Sequence, residues 1–363
     1  MSSSESIGPV SARPDFAGPR RRLKPVVGKA RKILREALPE LEATDLVLVA
    51  CSGGPDSLAL AAVAAFFNNR KSFRVGAIIV DHGLQDGSAA VAQQTAAKLR
   101  AFGLAPVEIR TVDVVAGPGG PEDSARVARY GALEAAAVEH GAVAVLLGHT
   151  LDDQAEQVML GLARGSGTRS LSGMPARREF PGGVHLRPFL PLSREETEAI
   201  CAVESLEPWR DPSNSDPGFT RSRIRHDVLP YLEVELGPGI AESFYRSASI
   251  LAQDADFLDQ LAQAEFDRIA ELAPEQVLLS EAELNQLAPA LRHRVLALAV
   301  VHLGGTQPSF ERLRAAEALL RRHGSAGPVQ LAGKVSAYRQ ARNSGPSYGK
   351  LVLKRPSQPN QAN

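Results

Sequence analysis

Leu46-Val47-Leu48-Val49-Ala50-Cys51-Ser52-Gly53-Gly54-Pro55-Asp56-Ser57 is the stretch on which the reading of this 363-residue chain turns. Its opening run is uniformly apolar, as in a parallel strand covered on both faces. Ser-Gly-Gly then breaks the run, and a helix is expected to start at Asp56-Ser57 and to carry Leu58, Leu60 and Val63. Glycines let backbone N–H groups approach an anion with no Cβ in the way. The helix start adds unpaired N–H groups and the positive end of its dipole, which suit a phosphate. Ser52 and Ser57 contribute hydroxyl donors, and Asp56 a carboxylate able to hold a metal ion. No lysine follows the glycines, so this is not the Walker A loop. Strand–helix turns with Gly and Ser are also common where nothing binds. The rest of the chain decides.

From Leu46 a βαβ rhythm begins. Val75-Gly76-Ala77-Ile78-Ile79-Val80, Val107-Glu108-Ile109-Arg110-Thr111-Val112 and Val143-Ala144-Val145-Leu146-Leu147-Gly148 read as further strands, with helical patterns over 88–102 and 122–140 between them. Strands alternating with helices imply a parallel sheet covered on both faces, and such sheets bind ligands beyond the carboxyl ends of their strands. The chemistry-bearing residues cluster there. Residues 52–57 follow the first strand, Asp81-His82-Gly83-Leu84 the second, and Gly148-His149-Thr150-Leu151-Asp152-Asp153-Gln154-Ala155-Glu156 the fourth. Asp153 and Glu156 share one helix face. One acidic residue in a first turn is an ordinary cap. Three carboxylates and a histidine exceed what capping needs and favour metal-nucleotide chemistry.

Other segments bound the reading. The formal net charge is zero, so any nucleic-acid contact requires local basic patches. One candidate runs over Arg20, Arg21, Arg22, Lys24, Lys29, Arg31, Lys32 and Arg35; the alternative is a solvated helix face. Cys51 and Cys201 form no C-x-x-C pair, which fits a reducing cytosol, and Cys51 reads as a small buried hydrophobe. No apolar run approaches the roughly 18–20 residues of a membrane helix, and the N-terminus lacks a signal peptide's apolar core. A cytoplasmic protein without membrane contact is expected. The 164–173 stretch reads equally as a mobile lid or a plain connection. A short strand is expected around Arg187-Pro188-Phe189-Leu190-Pro191-Leu192, before a helix with Ser193 and Glu196 in a capping box. Arg221, Arg223 and Arg225 cannot all share one helix face, so a loop-to-helix start presenting several of them to phosphates is expected. Beyond about 230 the pattern turns helical, over 240–272, 281–303 and 309–323, with a small β element between 329 and 353. Arg292, His293, Arg294, Arg312, Arg314, Arg321, Arg322 and His323 offer a second basic surface there.

Taken in order, Ser-Gly-Gly-x-Asp-Ser, Val-Asp-His-Gly-Leu, Ala-Arg-x-x-Arg-Tyr (residues 125–130), Gly-His-Thr-x-Asp-Asp-Gln-Ala-Glu, Leu-Ala-Arg-Gly-Ser-Gly, Asp-Pro-Ser-Asn and Arg-x-x-x-Arg, with Ile224 before Arg225, form a specific set. The 52–57 string resembles the pyrophosphate loop, or PP-loop, of N-type ATP pyrophosphatases. The whole set, covering about residues 46–229, resembles the bacterial tRNA(Ile)-lysidine synthetase family. The resemblance implies an α/β fold: a Rossmann-like parallel sheet with a PP-loop, followed by a smaller, mainly α-helical domain. Its boundaries are a disordered tail (1–22), the PP-loop domain (23–218), a linker helix (219–239), a mainly helical tRNA-binding domain (240–354) and a second disordered tail (355–363).

The implied reaction adenylates C2–O of the wobble cytidine of a CAU-anticodon tRNA(Ile) with ATP, releasing pyrophosphate. Free L-lysine then attacks C2, and AMP leaves. The implied ATP-binding residues are Ser52, Gly53, Gly54, Pro55, Asp56, Ser57, Asp81, His82, Arg126 and His149, with Arg129 beside Arg126 as a second clamp unless the two are a helix-surface ion pair. Mg²⁺ falls to Asp56 and Asp153. The catalytic set is Asp56, Asp152, Asp153, Arg221 and Arg225, with Asp152 and Asp153 both open as the proton acceptor and His149 a third choice. A carboxylate near the incoming amine both attracts the ammonium, of pKa about 10.4 when free, and takes its proton. Gln85, Gln157 and Ser222 depart from the family pattern at positions that commonly hold Arg, Thr and Asn. Thiolation of tRNA by a related enzyme is disfavoured by the missing C-x-x-C, and a non-catalytic ATP- and tRNA-binding scaffold by the retained carboxylates. The family leaves monomer and homodimer both open.

Overall fold

β1 (Leu46–Ala50) is buried at every residue and sits inside a six-stranded sheet. The computed structural model describes residues 24–356 except 39, 84–86, 115–119, 166, 212–215, 322–323, 325 and 341–347. Both expected tails, Arg20, Arg21, Arg22, Leu84, Gln85, Ser166, Pro212-Ser213-Asn214, Arg322 and His323 thus lie wholly or mainly outside the described residues.

Before β1, α1 (Pro25–Ala37) starts on a proline and turns Val27, Ala30 and Leu34 inward. Its Lys29, Arg31 and Lys32 pair with Glu196, Glu204 and Glu36, so much of the basic face is neutralised within the chain. After β1 come α2 (Pro55–Asn69), β2 (Arg74–Asp81), α3 (Ser88–Ala101), β3 (Val107–Thr111), α4 (Gly120–His140), β4 (Ala144–Leu147) and α5 (Leu151–Ala163). β1 pairs in parallel with β2 and β4, and β2 with β3. α2 has no polar face and is buried along most of its length, as an all-apolar helix must be. It packs with α1 and α3 on one side of the sheet. Leu133, Ala136 and Ala137 of α4 pack on the other.

α6 (Thr168–Leu171) occupies the 164–173 stretch, and the Gln154 side chain anchors its far end, accepting from the Met174 amide at 2.7 Å and donating to the Met174 carbonyl at 3.1 Å. β5 (Arg177–Phe180) and β6 (Gly183–Leu186) form a hairpin that joins the sheet through β4, giving the order β3-β2-β1-β4-β6-β5 with only β5 antiparallel. The strand expected over 187–192 is instead a turn, closed by the Leu192 amide on the Phe189 carbonyl at 2.8 Å. Pro188 and Pro191 lack the donors a ladder needs. α7 (Arg194–Val203) starts at the expected capping box, with Ser193 Oγ accepting from the Glu196 amide at 3.2 Å. α8 (Thr220–Arg223), a π-helical turn (Ile224–Val228) and α9 (Leu229–Leu236) follow, then α10 (Ile240–Ile269).

The chain divides into two compact units between Ile250 and Leu251, within α10. The second unit contains β7 (Ala270–Ala273), β8 (Gln276–Ser280), α11 (Glu281–Gln286), α12 (Pro289–His302), α13 (Phe310–Ala318), β9 (Val329–Gln330), β10 (Ser336–Arg339) and β11 (Lys350–Lys354). Helices make up most of its regular structure, as expected, but its β part is larger than the small element expected. Its strands form a five-stranded antiparallel sheet, order β7-β8-β11-β10-β9, over a core with Phe266, Leu296, Val300 and Leu353. Among the described residues, no helix is long and apolar enough to cross a membrane.

Candidate active site

The carboxyl ends of β1 and β4 open on a cleft of about 440 Å³. One wall is the 52–57 turn. Gly53 takes φ +87, a left-handed conformation that favours glycine, and its carbonyl accepts from the Trp209 amide at 2.9 Å. Gly54 caps α2 and Pro55 fills its first position, where a missing N–H costs nothing. Ser57 Oγ donates to the Gly54 carbonyl at 3.1 Å and accepts from the Ser52 amide at 3.2 Å, closing the loop on itself. Gly148 allows β4 to end directly against this turn, since a Cβ there would stand 3.0 Å from Ser57 Cα. Ser52, Gly54, Pro55, Asp56 and Ser57 all line the cleft.

The facing wall is a charge network. α5 begins in a capping box, the Thr150 amide donating to Asp153 Oδ2 at 2.9 Å, so Asp153 serves the cap and the site together. Its other oxygen meets Arg194, Arg221 and Arg225 at 3.3, 3.4 and 3.2 Å. Burial alone would raise the Asp153 pKa, but Arg221 and Arg194, with the Thr150 amide, outweigh it and hold the carboxyl ionised below its ordinary range. Glu156, one turn along, is fully buried and accepts from Arg221 Nε and Arg225 Nε, each at 2.6 Å. The three arginines of the 221–225 segment separate as their spacing requires: Arg221 and Arg225 enter the cleft, while Arg223 turns back onto its own loop.

Asp56 accepts from Thr197 Oγ1 and lies 3.8 Å from Arg194 Nε. Burial pushes its carboxyl up to about 6 despite both partners. Asp152, expected in the catalytic set, does not line the cleft; its carboxylate accepts the Arg194 amide at 2.7 Å, capping α7. His149 lines the cleft with Nδ1 lacking a partner, and burial keeps its imidazole neutral, well below the usual histidine range. Arg129 also lines the cleft and, among the described residues, makes no hydrogen bond or salt bridge. It is the cation left available for an anion.

Other expected residues stand apart. Arg126 is exposed, its guanidinium 5.5 Å from the Tyr130 ring centroid, and does not line the cleft; Arg129, from the same motif, does. Asp81 ends β2 and accepts the Gly83 amide at 3.0 Å, and the half-buried His82 has its pKa lowered by burial and by Arg129. Neither lines the cleft. As a metal ligand Asp56 fits, with one oxygen not held by Thr197, whereas both Asp153 oxygens are already engaged. Among the described residues no group of three or more metal-binding side chains forms a cage. Sequence reasoning missed Arg194, Thr197 and Phe219. In the second unit, Arg292 and His293 pair with Glu317 and Arg294 with Asp259, which neutralises part of the expected basic surface.

Comparison with known proteins agrees with this arrangement. Residues 25–232 match the PP-loop domain, and residues 279–342 match the TilS substrate binding domain. The chain belongs to the tRNA(Ile)-lysidine synthase family. It is 47% identical over 323 residues to the Streptomyces coelicolor tRNA(Ile)-lysidine synthase, covering 88% of each chain. It is 46% identical over 321 residues to that of Salinispora tropica, covering 88% of this chain and 96% of the relative, and 51% identical over 272 residues to that of Thermobifida fusca, covering 75% and 82%. The U34-tRNA thiolase NcsA from Methanococcus maripaludis, solved with its [4Fe-4S] cluster, shares the fold: TM-score 0.52 at 20% identity, covering 63% of this chain and 79% of that one.

Proposed function

We propose that this chain joins free L-lysine to C2 of the wobble cytidine of CAU-anticodon tRNA(Ile), at the cost of ATP cleaved to AMP and pyrophosphate. The observation that carries the reading is the cleft itself, with a PP-loop on one wall and the Asp153/Glu156–Arg221/Arg225 network on the other. In the first step the cytidine O2 bonds to the α-phosphorus and pyrophosphate departs. Negative charge grows on both fragments. The turn's N–H groups and hydroxyls and Arg129, all on the cleft wall, would stabilise it. Asp56 and the phosphates would hold Mg²⁺, which supplies charge neutralisation on the leaving group.

In the second step the lysine Nε bonds to C2, the C2–O bond to AMP breaks, and the ammonium proton must leave. Asp153 is a poor acceptor, because arginines and the Thr150 amide saturate it. The candidates for that role are His149, which lines the cleft, and Asp152, which does not line it but neighbours Asp153 and has an Oδ1 unengaged among the described residues. Arg221 and Arg225, fixed by Glu156, orient the substrates. The test is pyrophosphate exchange into ATP that depends on the CAU tRNA, together with transfer of labelled lysine into that tRNA. ATP and tRNA binding without AMP formation would instead indicate a scaffold.

A further inference from the structure

Phe219 carries a benzene ring, 47% exposed, on the wall of a cleft whose other apolar lining residues, Ala50 and Pro55, present no flat ring π-face, the rest being mostly charged and polar. Its loop is stapled in place. Arg223 Nη1 donates to the Pro217 and Gly218 carbonyls at 2.7 and 3.1 Å, and its Nη2 to Thr220 Oγ1 at 3.1 Å. The Phe219 amide donates to the Asp216 carbonyl at 3.2 Å, and the Asp216 carboxylate accepts from the Gly218 amide at 2.8 Å. A ring held open to solvent by a braced backbone presents a preformed flat apolar face, which suits a flat apolar partner.

Two such partners enter this cleft in the proposed reaction, the adenine of ATP and the base to be adenylated. The order of the strands favours the second. The phosphate turn follows β1, with β2 on one side and β4 on the other. Two residues after Phe219, Arg221 is tied to Asp153 and Glu156 of α5, on the β4 side. The β2 end, with His82, an expected ATP residue, lies on the other side of the phosphate turn. A base that reaches the α-phosphate must leave its own stack, and an aromatic face returns the stacking it loses.

We propose that the Phe219 ring is the stacking surface that receives the cytosine extruded from the anticodon. The assignment rests on the proposed reaction and adds the group that holds its acceptor base. Phe219→Leu keeps an apolar side chain and removes the π-face, while Phe219→Tyr and Phe219→Trp keep one. The Leu variant should lose roughly ten- to hundred-fold in kcat/KM for tRNA, the range that base–aromatic stacking supports. Its affinity for ATP, titrated without tRNA, should match wild type, and Tyr and Trp should recover most of the loss.

Wild-type tRNA kinetics in the Leu variant would overturn the proposal. So would a loss confined to ATP affinity, which would give the ring to adenine, or equal losses in all three variants with lowered melting temperatures. A binding comparison separates this proposal from the reaction itself. An anticodon stem-loop with an abasic wobble position should bind wild type and the Leu variant equally, whereas the cytidine stem-loop should prefer wild type. That difference is readable even if no lysine is transferred.

Discussion

Asp56 is a carboxylate held where ionisation is costly, and its position explains both its use and its effect on stability. Burial lifts its pKa from 3.8 to about 6, so between those values the folded chain keeps a proton that the unfolded chain has released. Stability contributed by this group therefore falls as pH rises through that window, and the full cost of about 3 kcal/mol stands above it. Asp56→Asn keeps an acceptor for Thr197. In metal-free protein it should raise thermal stability at about pH 7.5, raise it roughly half as much at about pH 5, and abolish AMP formation. Calorimetry showing no gain at the higher pH would contradict this account. Most of the site was legible residue by residue, because 52–57, 149–156 and 221–225 carry chemistry where strands end. Arg194 and Thr197 were not. Ser193-Arg194-Glu195-Glu196 reads as a helix cap, and the bonds to Asp153 and Asp56 join residues 41 and 141 positions apart. Phe219 read as one more loop residue.

At the scale of elements, the site depends on the end of β4 lying against the start of α2. Gly148 is the joint. A Cβ there would stand 3.0 Å from Ser57 Cα and 3.1 Å from the Asp56 carbonyl carbon and oxygen, all backbone atoms with no side chain to swing away. Gly148→Ala must therefore displace the phosphate turn. A loss of about 1–3 kcal/mol in stability is expected, the usual cost of overpacking, with a fall in ATP affinity larger than that loss explains. Denaturant melts and ATP titration check it; unchanged ATP affinity would mean that the turn tolerates the shift. β1, β2 and β4 were readable because buried parallel strands are continuous apolar runs, and β3 through the alternation of Val107 and Ile109 with Glu108 and Arg110. The β5–β6 hairpin was not, since Arg177-Arg178-Glu179 at the sheet edge carries no apolar signal. β7 was hidden by following α10 without a break, so that 240–272 read as one amphipathic helix.

The whole molecule has two units, each with its own core, and the family match follows the same division of labour. Phe266 is 4% exposed and packs among Val295, Leu296 and Val300-type neighbours of the second core, none of which lines the cleft. Phe266→Ala should cost the second unit about 3–5 kcal/mol, the usual price of emptying an aromatic core position. Because the first unit's clusters contain no residue from this core, its ATP affinity should be unchanged. Calorimetry should then resolve two transitions, with only one shifted. The tRNA-dependent reaction should fall at temperatures where the shifted unit has melted, while ATP binding persists. If both transitions move together, or ATP affinity falls with the melt, the units share stability and the separation of nucleotide chemistry from the second domain fails.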